Sequence, residues 1–429
     1  MTSVELNSVQ DSHLEAWVPR GLLTIPANVL ESRATAEGLC PMRIHWQTGR
    51  LRRVELITID ASSPPQHVLL PRLVEPHAHL DKAFTWADFP NLSGSYSGAL
   101  AANLLEHQQR TLLGVRQRAE RALQLALQHG LRAVRSHVDS VGPHCDLSWE
   151  ALLDLQRQWQ DRLTLQLVAL VPVEHWSTSA GKKLAQKVAA SGGLMGGVLV
   201  PPCNGPAPRH ALRKMLLLAD QLGCAIDLHI DEANSHYATG VQQLLRVLDG
   251  IKVSVPITCS HASTLGLLPP AELCRIAERM ADHQINVVAL PMTNGWLLAK
   301  QPRRTPVERP IAPIHQLQVA GISVAVGGDN VQDPWFPAGN FDPLSLMAFS
   351  LPLAHLAPWQ RLGLAPFTTA AAHLMDLAWD GTLQPGSPAD LILVKASSWA
   401  ELLAAKPDRR VLINGTWLDE RTMATTTST

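Results

Sequence analysis

Between residues 68 and 326 the chain repeats one pattern eight times: a short apolar run, a polar turn, then a longer stretch rich in helix formers. The apolar runs are residues 68–73, 131–136, 163–170, 197–200, 225–228, 256–259, 286–290 and 323–326. Runs this short, bounded by turn residues and mostly apolar, read as strands buried on both faces. Residues 96–128, 148–159, 178–190, 209–222, 241–248, 270–282 and 311–320 read as helices between or beside them. Parallel strands joined by helical crossovers close into a (β/α)8 barrel when there are eight of them. The rival, a doubly wound open sheet, is expected to open with a glycine-rich phosphate loop, and no such loop follows the first run. The expected fold class is therefore α/β, a TIM-type barrel.

The flanks have a different texture. Residues 22–25, 42–46 and 54–59 before the barrel, and 389–394 and 411–417 after it, read as short strands, the last two framing a helix at 399–405. Neither end can bury its strands alone, so both are expected to join in one small β-sandwich domain. The expected division is residues 1–67 and 381–429 for that domain and 68–380 for the barrel, including helices at 343–355 and 368–377. Residues 1–15 and the Thr-rich 422–429 are expected to be loose tails.

Formal net charge is −1, with no long run of one sign, which argues against a nucleic-acid or anionic-membrane partner. Six scattered cysteines without a C-x-x-C pair suit reduced, mostly buried thiols rather than disulfides or a zinc ribbon. The missing C-x-x-C also excludes the zinc deaminase fold that carries P-C-x-x-C. With no apolar h-region at the N-terminus and no apolar run of about 18 residues, the expected location is cytoplasmic.

Active sites of (β/α)8 barrels lie at the C-terminal ends of the strands. The first run leads into Glu75-Pro76-His77-Ala78-His79-Leu80-Asp81-Lys82, and residues two apart on a strand share a face, so His77 and His79 point together. Two imidazoles so placed can hold one divalent ion. The fifth strand ends at His229, Asp231 and Glu232, the sixth at His261, and the eighth at Gly327-Gly328-Asp329-Asn330. His137 and Asp139 end the second strand and face the same pocket. His107, His283 and His355 stand in helical or polar contexts and read as ordinary surface or packing residues.

The H-x-H, His229 with Glu232, the Ser260-His261-Ala262-Ser263 run and the stretch from Asp329 to Pro337 together resemble the amidohydrolase superfamily, in its cytosine deaminase-like branch. The run Gly386-Ser387-Pro388-Ala389-Asp390-Leu391 is similar to that family's return into its β-domain. The resemblance implies one Zn²⁺ or Fe²⁺ held by His77, His79, His229 and Asp329. It also implies Glu232 as proton shuttle, His261 as the residue orienting the attacking hydroxide, and Asp329 as acceptor of that nucleophile's proton. Asp231 and Asn330 would support the ligands, and Asp333 and Trp335 would shape the rim.

The expected activity is hydrolytic deamination of a cytosine-like pyrimidine or related cyclic amidine, a small heterocycle, with homo-oligomers common in the family. Where cytosine deaminases carry a Gln that reads the pyrimidine's amide edge, Val173 stands in the run 171–174, and Asn330 replaces a second Asp; both departures argue against cytosine itself. Val173, Glu174, Asn294, Trp296 and Asn330 are the candidate substrate contacts. Two alternatives stay open, a cyclic-amide hydrolase and a non-catalytic metal-binding barrel. No lysine ends strand four at 199–203, where two-metal relatives carry one, and the intact Glu232 favours catalysis.

Overall fold

The computed structural model describes residues 12–60, 62–301, 303–404 and 407–419. Four strands precede the barrel: β1 Ser12–Pro19, β2 Leu39–Gln47, β3 Arg50–Leu56 and β4 Val68–Pro71. The next eight are β5 Leu73–Ala78, β6 Leu131–Asp139, β7 Thr164–Leu170, β8 Leu194–Leu199, β9 Ile226–Ile230, β10 Ile257–His261, β11 Asn286–Ala289 and β12 Val324–Val326. These eight pair in parallel in sequence order. A parallel bridge between Ala78 and Asp329, with the Asp329 amide donating to the His77 carbonyl at 2.9 Å, brings the end of the sheet back to its start. The expected barrel is thus present.

Several of its helices cover the sheet through one apolar stripe. The helix Cys145–Trp159 buries Trp149, Leu152, Leu155 and Trp159, spaced three or four apart, and Thr239–Leu248 buries Val241, Leu244, Leu245 and Leu248. Each such side chain contributes roughly 2 kcal/mol by leaving water.

Both chain ends meet in one seven-stranded mixed sheet, ordered β15-β14-β13-β4-β1-β2-β3, where β13 is Leu391–Val394, β14 Arg409–Ile413 and β15 Thr416–Trp417. Its own core gathers Val18, Met42, Ile44, Leu69, Leu391 and Leu412.

Several expectations need correction. Residues 68–73 are not one strand: β4 pairs with β1 and β13 in the small sheet, and β5 begins the barrel after Arg72 alone. Pro71 has no amide hydrogen to carry the first ladder further. Residues 12–15 belong to β1 instead of a loose tail, because Leu14, Ala16 and Val18 alternate toward one face; residues 1–11 and 422–429 lie outside the described residues. Residues 22–25 form no strand; a 3-10 turn at Arg20–Leu22 sits between Pro19 and Pro26. The long helix expected at 96–128 is two, Tyr96–Gln109 and Leu112–Gln128, because Arg110 turns extended and Thr111 caps the second by accepting from the Gly114 amide. No helix among the described residues is long and apolar enough to cross a membrane, and all six cysteines are free.

Candidate active site

Three strand ends, those of β5, β9 and β12, deliver their side chains to one point in the barrel mouth. His79 Nε2 lies 3.2 Å from Asp329 Oδ1, His77 Nε2 lies 3.5 Å from the same oxygen, and His229 Nε2 lies 3.4 Å from His79 Nε2. A four-coordinate ion with bonds near 2 Å sets its ligand atoms about 3.3 Å apart. Those three distances suit neighbouring ligands of one ion, and the groups whose atoms all lie within 4.8 Å of one another are His77 with His137 and His229, and His77 with His261 and Asp329. His77 Nε2 and both Asp329 carboxylate oxygens are buried and find no hydrogen-bond partner among the described residues. Such atoms seldom stay unpaired in a folded protein unless something else satisfies them.

The protonation states agree. Burial first, then the neighbouring imidazoles, hold His77 and His229 well below the ordinary histidine range, so both are neutral and able to ligate. Burial pushes the Asp329 carboxyl up, but the imidazole of His79, 3.2 Å away, and the nearby His261 outweigh it and hold Asp329 below the usual carboxylate range.

Local structure prepares these groups. Ser260 Oγ donates to Asp227 Oδ1 at 2.6 Å, so its lone pair is left to accept from His77 Nδ1 at 2.9 Å. That fixes the His77 hydrogen on Nδ1 and leaves Nε2 free to bind metal. His261 and Asp329 both adopt the left-handed backbone region, φ 68° and 63°, at a cost of about 1–3 kcal/mol each. Gly327 is required because a Cβ there would stand 2.9 Å from Glu75 Oε1 and 3.1 Å from His77 Cβ.

Two cavities reach Asp329. One of about 220 Å³ lies against Glu75 and Phe341 and touches none of the histidines. The other, about 450 Å³, also meets His79, His229, Glu232 and His261. In it Glu232 is pushed well above the usual carboxylate range by burial, with the Asp329 charge adding to the effect. Its Oε1 stands 3.6 Å from His261 Nδ1. Burial lowers His261 to about 4, so it is neutral. Asn294 Nδ2 lies 3.0 Å from His261 Nδ1; with Asn294 donating, the ring hydrogen sits on Nε2, which finds no partner among the described residues.

The other expected contacts are distributed differently. Asn330 lines the cavity and donates to Asp333 Oδ2 at 2.8 Å. Trp335 and Asp139 line it too, whereas His137 stacks on His77 at 3.8 Å beneath. Asp231 is occupied elsewhere, accepting from the amides of Gly240 and Val241.

Val173 does not face the cavity. Strand β7 ends at Leu170, so Leu170, Val171 and Pro172 form that part of the lining, and Val173 is buried in the core, with its Cγ1 2.7 Å from where a Cβ on Gly197 would lie. Glu174 is exposed in the 3-10 turn Val173–Ser177, and Trp296 packs under Lys300, 4.6 Å from ring centre to Nζ. Neither lines the cavity.

His107 requires the opposite correction: it is buried, lines the cavity and bonds Asp139 Oδ2 at 2.9 Å. Lys82 and Asn103 line it as well and were not among the candidates. The available signals were a lysine directly after the H-x-H stretch and two polar residues four apart, Asn103 and His107, on one helix face. Burial favours the neutral amine of Lys82, but Asp139, Asp81 and Asp333 outweigh it and keep the ammonium charged.

Comparison with known proteins places these features in context. A model of the amidohydrolase family matches residues 95–424. The chain is 31% identical over 352 residues to a pterin deaminase of Rhizobium rhizogenes strain K84, covering 81% of this chain and 80% of that protein. The fold is similar to that of 5-methylcytosine deaminase from Klebsiella pneumoniae liganded with 5-fluorocytosine, with TM-score 0.79 and 23% identity over 95% of this chain and 98% of that one. It is also similar to N-isopropylammelide isopropylaminohydrolase from Burkholderia multivorans ATCC 17616, with TM-score 0.71 and 24% identity over 94% and 97%.

Proposed function

Because this chain belongs to the amidohydrolase family, we propose that it is a hydrolytic deaminase releasing ammonia from an exocyclic amine on a pyrimidine- or pteridine-type ring. The convergence of His77, His79, His229 and Asp329 at the floor of a cavity that also holds the largely enclosed acid Glu232 supports this reading most. Likeness to a pterin deaminase supports the substrate type, and a cavity of about 450 Å³ is in the size range of small-molecule sites.

His77, His79, His229 and Asp329 would hold one divalent ion, Zn²⁺ or Fe²⁺, since imidazole and carboxylate without thiolate suit both. Such an ion supplies a nucleophile at neutral pH by lowering the pKa of water from about 16 to about 7. Glu232 moves two protons in turn: the attacking water's first goes to a ring nitrogen, and its second, received by way of Asp329, goes to the departing amine. His261 Nε2 donates to the oxygen that attacks, and Asp329 accepts that oxygen's remaining hydrogen. A carbon–oxygen bond forms, the carbon–nitrogen bond breaks, and the ring leaves as its oxo form.

The test is ammonia release by protein reconstituted with Zn²⁺ or Fe²⁺, over a panel holding pterin, cytosine, isocytosine and guanine. Metal bound at one equivalent with no ammonia from any ring rejects the reading. A second reading, loss of an alkylamine in place of ammonia, is favoured by the apolar residues Leu100, Leu104 and Val200 in the lining; an N-alkylated member of the panel distinguishes the two.

A further inference from the structure

The part of the cavity lining built on Asp139 carries hydrogen-bonding capacity that the proposed chemistry does not use. Asp139 Oδ1 and Oδ2 each lie 3.2 Å from Lys82 Nζ, and Oδ2 also accepts from His107 Nε2 at 2.9 Å and from Asn103 Nδ2 at 3.3 Å. The Asp139 backbone amide donates in turn to Asp81 Oδ2 at 3.0 Å, which ties the residue to the strand end that follows the H-x-H.

A carboxylate accepts and cannot donate, so its contact with Asn103 fixes which end of that amide faces it. Nδ2 points to Asp139 and the carbonyl Oδ1 is turned away. Asn103 is 5% exposed, it lines the cavity, and Oδ1 finds no hydrogen-bond partner among the described residues. Buried carbonyls of this kind are nearly always paired, so Oδ1 has the character of an acceptor kept for a ligand. Lys82 supplies the complementary half. An ammonium has three N–H groups, Asp139 engages at most two, and Lys82 also lines the cavity.

We propose that Lys82 and Asn103, held at one carboxylate by Asp139, form a donor–acceptor pair that reads a lactam edge, –NH–C(=O)–, of the substrate ring. The lactam carbonyl oxygen accepts from Lys82 Nζ and the adjacent ring N–H donates to Asn103 Oδ1. The substrate class is then an amino-oxo heterocycle. A diamino ring meets the same pair with an amine facing the ammonium and a bare ring nitrogen facing the carbonyl, two mismatches at once. The position expected to read that edge, Val173, lies in the core, so these two residues take over its task from a different strand end and helix. The proposal rests on the deaminase reading only in that the lactam belongs to the ring that loses its amine.

The experiment compares amino-oxo rings with their diamino partners: pterin with 2,4-diaminopteridine, and isocytosine with 2,4-diaminopyrimidine. Zinc-loaded wild type is assayed for kcat/KM, and zinc-loaded Glu232→Gln for binding of the same four rings by calorimetry. A preference of about 100-fold or more for the amino-oxo ring is expected, since a site built to hydrogen-bond a group discriminates strongly against its absence. Lys82→Met and Asn103→Leu should each cut that preference at least about tenfold with zinc content unchanged. Lys82→Arg keeps a cation beside Asp139 but presents a different donor geometry, so it should lose preference and retain the fold even where Lys82→Met does not. An unchanged preference in folded, zinc-loaded Asn103→Leu or Lys82→Arg overturns the proposal. Selective binding without ammonia release keeps it and removes the deaminase reading; ammonia release without preference in the wild type does the reverse.

Discussion

Ser260 touches no candidate substrate position, yet the ligand behaviour of His77 runs through it. The hydroxyl gives its hydrogen to Asp227 and receives one from His77 Nδ1, and Asp227 is itself held by Arg135 Nη1 at 2.9 Å. Ser260→Ala should therefore leave the imidazole free to choose the wrong tautomer and weaken metal affinity about 10- to 100-fold. A competition titration with a metal-binding dye measures this, and unaltered affinity would separate the chain of hydrogen bonds from the site. Glu232→Gln should do the converse: metal stays bound while turnover falls about 10²- to 10⁴-fold. At this scale the proposed metal ligands were readable because barrel strands end where their apolar runs end, so His77, His79, His229 and Asp329 announce themselves by position. Lys82, Asn103 and His107 did not, since two of them come from a helix whose rotation about its axis depends on packing. Val173 was named because it stands where the resembling family carries a Gln, but the strand ends at Leu170 and the 3-10 turn Val173–Ser177 carries Val173 into the core.

Among the elements, the helix Tyr96–Gln109 has the most exacting position, because Tyr96, Leu100, Asn103, Leu104 and His107 all line the cavity. Its apolar stripe does not hold it, since Leu100 and Leu104 are 44% and 52% exposed. A buried ionic cluster does. Arg110, 3% exposed, donates to Glu106 Oε2 at 2.5 Å, to Asp81 Oδ2 at 3.1 Å and to Ser148 Oγ at 2.8 Å. Arg110→Met would remove the guanidinium that joins Asp81 to Glu106, leaving Asp81 with the Asp139 amide and Glu106 with Arg118, at a cost of about 3 kcal/mol. The expected outcome is a lower apparent Tm together with a raised KM, read by calorimetry and steady-state kinetics. A change confined to Tm would mean that the helix keeps its place without the cluster. Hydropathy could not reveal the end of this helix, since residues 96–128 are nearly all good helix formers; the break is made by the Thr111 cap and the extended turn at Arg110.

For the whole molecule, the barrel and the small sheet are joined by an ion pair as well as by apolar packing. Asp342, which caps the helix Pro343–Ala354, takes both guanidinium arms of Arg409 in β14, at 2.6 and 2.8 Å. Burial pushes the Asp342 carboxyl up, but the Arg409 hydrogen bonds outweigh it and hold it below the usual range. A carboxyl depressed on folding contributes stability above its unfolded pKa of about 3.9 and loses it as pH falls through the lower folded value. Arg409→Met should thus cost about 3 kcal/mol at pH 7, and its gap from wild type should narrow below about pH 4. Urea unfolding of both proteins at pH 7, 5 and 3.5 measures the gap; a gap constant over that range would remove the pair as its source. That the two chain ends would meet was legible, because neither can bury its strands alone. Which strand joined them to the barrel was not, because residues 68–73 read as one run in which only Pro71 and Arg72 hint at the division.

One stretch of backbone serves both bodies, with Arg72 as the single step between β4 and β5. β4 is moored between β1 and β13, one from each end of the chain, and His77 and His79 hang from the far end of the same cord. Trimming the protein to its barrel would accordingly not give a leaner catalyst. It would untie the first two imidazoles from their anchorage, and the shortened chain would hold its ion poorly even where every later strand refolded.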